Sequence, residues 1–117
     1  MKWNDEKELW AFLAPRMRGK WRRLEAGEPA GMPDAFGLWK GRTWWLELKV
    51  GRPGRKAFET DQVTFGFDCV KHKVPWWVCF GHEGVPIFFD TPRLIEPRSP
   101  PFWVERSMDN GTRRPRR

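Results

Sequence analysis

Thr43-Trp44-Trp45-Leu46-Glu47-Leu48-Lys49-Val50 is the stretch on which the fold turns. Its aromatic and aliphatic residues and its polar interruptions at every second position predict a β-strand. Successive strand side chains point to opposite faces, so Trp44, Leu46, Leu48 and Val50 share one side. Trp45, Glu47 and Lys49 share the other. A carboxylate and an amine two residues apart are thus held on one face of a rigid element.

Just upstream, Lys40-Gly41-Arg42 predicts a short hairpin turn, with Pro33 to Trp39 as the strand that enters it. Lys20 to Leu24 alternates as a first strand, and Glu25 to Gly31, with Pro29, reads as a loop. Asn4 to Leu13 predicts an amphipathic helix that buries Leu9, Phe12 and Leu13. Asn4 or Asp5 can cap it, Asp5 and Glu8 have capping-box spacing, and Pro15 ends it. Downstream, Gly51 to Lys56 reads as a flexible basic loop. Glu59 to His72 has helical spacing at Val63, Phe67 and Val70, although Gly66 costs about 1 kcal/mol against alanine there. Pro75 to Phe80 and Val85 to Asp90 predict two more strands, linked by Gly81 to Gly84.

The order is helix, three strands, helix, two strands, which is a small mixed α/β domain with one sheet packed by helices. The domain is expected over residues 1–96. Prolines and arginines then accumulate, so 97–117 reads as a flexible basic tail.

Bulk properties narrow the function classes. At 117 residues, with 39% hydrophobic and 15% aromatic content, the chain can build one core. Nine Trp, nine Phe and no Tyr put much of the burial into large rings. A net charge of +7 favours a polyanionic partner, nucleic acid first and an anionic membrane surface second. No apolar run approaches a spanning length, and no amino-terminal signal peptide is visible, because Trp3 to Glu8 is charged. Cys69 and Cys79 lack the companions that a disulfide framework or a zinc site needs, so reduced thiols and a cytoplasmic location are expected. His72 and His82 form no metal-binding pattern.

The hairpin supplies the chemistry. It brings Asp34, at the start of the second strand, toward Glu47 and Lys49. Neighbouring carboxylates repel unless a cation compensates, and Mg²⁺ takes one or two carboxylates, keeps waters and accepts phosphate oxygens. The Leu48 backbone carbonyl is a further oxygen. Lys49 could orient an attacking water or stabilise charge on phosphorus. These parts suit hydrolysis of a phosphodiester.

Gly31-Met32-Pro33-Asp34, a hydrophobic strand and Glu47-Leu48-Lys49 together resemble the PD-(D/E)xK nuclease superfamily. More narrowly they resemble its VRR-NUC branch, small nucleases of phages and bacteria, whose core archaeal Holliday-junction resolvases share. The resemblance runs from about Glu6 to Asp90. It implies a restriction-endonuclease-like core, α-β-β-β-α-β with an additional strand, in which helices flank a mixed central sheet. It also implies a Mg²⁺- or Mn²⁺-dependent endodeoxyribonuclease that leaves a 5′-phosphate and a 3′-hydroxyl, with branched or four-way DNA among its substrates. By the same resemblance Asp34 and Glu47 bind metal, Glu6 (or Glu8) adds a first-helix carboxylate directly or through water, and Lys49 assists the water. Gln62, on the helix after the strand, positions water or the backbone. Gly66 stands where related exonucleases carry tyrosine, so exonuclease behaviour is not implied.

The remaining features are read more plainly. Glu25 and Glu28 read as loop surface. Arg16 to Arg23 and Arg52 to Lys56 flank the proposed site and fit a phosphate-tracking groove, while Arg106 to Arg117 would be a loose anchor. The pairs Trp44-Trp45 and Trp76-Trp77 each turn one ring outward, to be covered by a helix, a nucleic-acid base or the second subunit of a homodimer. Two other readings stay open: a non-catalytic nucleic-acid-binding module on the same fold, and a small phage-type factor that docks an acidic protein.

Overall fold

In the computed structural model, which describes residues 2–24, 29–94, 96–98, 101 and 103–104, the predicted strand is the centre of a five-stranded sheet. The strands are β1 (Lys20–Arg23), β2 (Ala35–Trp39), β3 (Arg42–Val50), β4 (Trp76–His82) and β5 (Val85–Phe89), and their spatial order is the chain order. β1, β2 and β3 form an antiparallel meander in which Phe36 faces Trp45 and Gly37 faces Trp44. Lys40 and Gly41, both with positive φ, make the tight turn between β2 and β3. β4 lies parallel to β3, with Glu47 beside Val78, and β5 returns antiparallel. The parallel pair needs a crossover, and α2 (Thr60–Lys71) provides it.

The alternation in β3 separates two cores. Leu46 and Leu48 pack with Leu9 and Leu13 of α1 (Glu6–Leu13), together with Cys79 and Phe88. On the opposite face, Trp76, Val78 and Phe80 pack with Cys69 of α2, with Trp45, Phe58 and Phe65 against them. The mixed sheet flanked by helices is therefore as expected. Asp5 caps α1, its side chain accepting the Glu8 N–H at 2.9 Å. Gly66 is buried because a Cβ there would come within 2.5 Å of Pro92, so the weak helix former allows close packing.

Some expectations need correction. The second strand starts at Ala35, because Pro33 and Asp34 are used to enter it, and Arg55–Ala57 is a short 3-10 turn within the basic loop. Of the three covers open to the outward rings, the chain supplies its own helix and core. Trp76 is buried, and Trp45 packs edge-on to Phe65 with centroids 5.4 Å apart. The boundary at 96 falls too early. Trp103 is fully buried, with its ring against Trp21, Trp44, Trp77 and Phe88, and Val104 bridges Met17. Nothing of the 105–117 portion of the expected tail, nor of Glu25 and Glu28, lies within the described residues. Cys69 and Cys79 are free and belong to opposite faces of the sheet, so they cannot bond to each other. Among the described residues no helix is long and apolar enough to cross a membrane.

Candidate active site

Buried Pro33 leads into Asp34, whose backbone carbonyl accepts the Leu24 N–H at 2.7 Å. Upstream, Gly31 (φ +90) runs so close to α2 that a Cβ would meet the Asp61 carbonyl oxygen at 2.6 Å. The loop is thus pressed onto the start of α2, and Asp34 is delivered beside β3. Its Oδ2 accepts the Leu48 N–H at 2.7 Å, two residues along β3 from the Leu46 that pairs with Ala35. A residue's N–H and C=O leave a strand toward the same neighbour. The Leu48 carbonyl therefore faces the same edge, where β2 has already ended.

Glu47 is 2% exposed, and its carboxyl interacts with that of Asp34. Burial pushes its pKa up to about 8. The Asp34 charge adds to the rise, and the Lys49 ammonium opposes it. Asp34 is also raised by burial, against the Leu48 N–H, the Glu47 hydrogen bond and the charges of Lys49 and Arg23. Burial thus favours the protonated form of both carboxyls, Glu47 above all.

Gln62 ties the site together. Its Oε1 accepts the Lys49 ammonium at 3.0 Å and the Glu59 N–H at 2.8 Å, while its Nε2 donates to Glu47 Oε2 at 2.9 Å. Lys49 also lies 3.4 Å from Glu47 Oε2 and 5.4 Å from the Phe58 ring centroid. One side chain thereby caps α2 and fixes both the acid and the amine of β3.

Glu6 is not brought to this pair. α1 packs on the face that carries Leu46 and Leu48, whereas Glu47 and Lys49 project from the other. Glu8 serves the helix start, where Oε1 accepts the Asn4 N–H at 2.7 Å. Among the described residues no three His, Cys, Asp or Glu side chains converge. Gly66 points into the packed helix–sheet contact rather than the site. Phe58, between the basic loop and α2, was missed by sequence reasoning, since no periodicity places a lone aromatic residue there. Neither thiol suits nucleophilic chemistry: burial raises Cys69 to about 11 and Cys79 further still.

The donor set nevertheless fits a hard divalent cation. Two carboxylates and a strand carbonyl leave several positions for water and phosphate oxygens, the pattern Mg²⁺ and Mn²⁺ favour and a zinc centre does not.

No protein-family model matches the chain, and no curated protein sequence does. Among solved structures, a Holliday junction resolvase from Archaeoglobus fulgidus, an archaeal hyperthermophile, matches with a TM-score of 0.53. The chain shares that fold. The match covers 88% of this chain and 87% of the resolvase, at 16% sequence identity. At this level of identity the likeness is one of fold.

Proposed function

We propose that the protein is a Mg²⁺- or Mn²⁺-dependent endonuclease of the PD-(D/E)xK superfamily that hydrolyses DNA phosphodiester bonds. The observation that carries this reading is half-buried Asp34 beside buried Glu47, which Gln62 locks to the Lys49 ammonium. Motif and fold each support it, and the narrower VRR-NUC resemblance rests on the motif alone. The resolvase neighbour makes branched DNA the first substrate to try.

In this mechanism Asp34 and Glu47 would hold the cation, with the Leu48 carbonyl available as a further oxygen. A bound divalent cation would supply Lewis-acid stabilisation of the phosphate and a more acidic water. Lys49, held by Gln62, donates hydrogen bonds to the attacking water or to the phosphate oxygen on which charge grows. Gln62 keeps the amine from folding back wholly onto Glu47. Glu6 has no assigned place at the pair. A homodimer loses the support of the paired tryptophans, which the chain covers itself, and sedimentation of the intact protein would decide it. A cytoplasmic setting agrees with two free thiols.

The test compares wild type, Asp34→Ala and Lys49→Ala on linear, flapped and four-way DNA, each with Mg²⁺, Mn²⁺ or chelator. Cation-dependent cleavage lost in both variants supports the reading. Absence of cutting by wild type, or equal cutting by the variants, sinks it. A non-catalytic binding module would instead bind DNA with the same affinity with or without Mg²⁺ and with or without Lys49.

A further inference from the structure

The face that carries Glu47 continues past the carboxylates. In β-pairing, residues directly opposite one another lie on the same side of a sheet. The row next to Asp34 and Glu47 is therefore Arg22, Phe36 and Trp45, and the row beyond it is Lys20, Leu38 and Thr43. α2 covers Trp45 through Phe65. Beyond that contact Lys20, Arg22 and Thr43 are exposed, Phe36 is half-buried, and Leu38 is 52% exposed, more than any other large hydrophobic residue described.

These rows make a ledge about 13 Å long, taking four residues at strand spacing. Its outer rim on β1 is cationic, its floor on β2 is apolar, and its inner end is the carboxylate pair. No acid stands in either row. An edge strand can carry charge merely to prevent sheet-to-sheet pairing, but that role does not call for an apolar floor beside it. A second copy of a chain with net charge +7 would bring Lys20 and Arg22 toward like charge. A polyanion meets the opposite balance.

We propose that this ledge is a platform for an unpaired DNA strand that leads into the active site. Phosphates run along Lys20 and Arg22, and bases lie on Phe36 and Leu38. Paired bases present only their edges, whereas an unpaired base offers the flat face that such a floor rewards. The platform thus selects substrates with unpaired nucleotides beside the scissile bond, such as flaps and gaps, over closed duplex. The inference rests on the nuclease reading for its location.

The experiment measures binding of the intact chain, in chelator and at low salt, to an oligothymidylate of roughly 15 nucleotides and to an abasic strand of equal length. Wild type should prefer the thymidylate. Leu38→Thr should weaken thymidylate binding about tenfold and leave abasic binding unchanged, while Arg22→Gln weakens both. Unchanged melting temperatures would establish that these exposed substitutions leave the fold intact. Equal affinity for the two strands overturns the proposal, as does indifference to Leu38→Thr. A dimer in sedimentation that Leu38→Thr dissociates overturns it in favour of a second copy. Because the assay needs no turnover, base-dependent binding without cleavage would leave the platform standing and remove the nuclease. Cleavage with indifference to Leu38 would do the reverse.

Discussion

At the scale of single residues, Glu47 carries the sharpest consequence. Its carboxyl is raised from 4.5 to about 8, so in the metal-free folded state it keeps a proton that the unfolded chain has released. The proton count then fixes the sign. Stability from this group is complete below about pH 4.5, declines as pH rises, and is lost above about pH 8. Asp34 is shifted in the same direction. The melting temperature in chelator should therefore fall between about pH 5 and 8, and Mg²⁺ should restore most of the loss at the alkaline end. Glu47→Gln should flatten that dependence in a thermal melt and abolish cleavage, since an amide needs no buried charge but binds the cation poorly. A melt that is flat with pH in wild type would contradict the raised Glu47 carboxyl. Lys49→Ala should lower the cleavage rate by about 10²-fold or more with DNA affinity little changed, which a single-turnover assay and a binding titration would separate.

At the scale of elements, the site depends on two contacts that involve glycine. Gly31→Ala meets both a left-handed backbone and the Asp61 carbonyl, so the loop must lift from α2 and carry Asp34 away from Glu47. Cleavage should drop more than stability does, as activity compared with a urea melt would reveal. Gly66→Ala gains helix propensity but drives a methyl toward Pro92 and Trp76. Overpacking of about 1–3 kcal/mol should win, and a higher midpoint in denaturant would refute the close contact. The elements themselves were legible because β3 alternates cleanly and its hairpin turn is short, which placed Asp34 near Glu47 before any coordinates. Gln62 was legible only through resemblance, since a polar residue on the first turn of a helix has many uses. Glu6 carries the same ambiguity: acids that favour a helix start and acids that bind metal look alike in one dimension.

At the scale of the whole molecule, Trp103 closes the α1 face of the sheet. Its ring meets Trp21, Trp44, Trp77 and Phe88, which places one residue against strands β1, β3, β4 and β5. Its signal in the sequence was too short to read, an apolar island among prolines and arginines with no periodicity to extend it. Trp103→Ala should cost about 3–5 kcal/mol in a denaturant melt, and removal of 97–117 should cost more. A truncated chain as stable as the full one would show that the ring is packing without consequence. There is also a matter of timing. The chain is made from its amino end, so α1, all five strands and α2 are synthesised before the ring that seals them. Until it arrives, tryptophans of the α1 face remain wet and the sheet is open to other nascent chains. A ring made after every strand it covers delays closure of this face until the sheet beneath it is already in place.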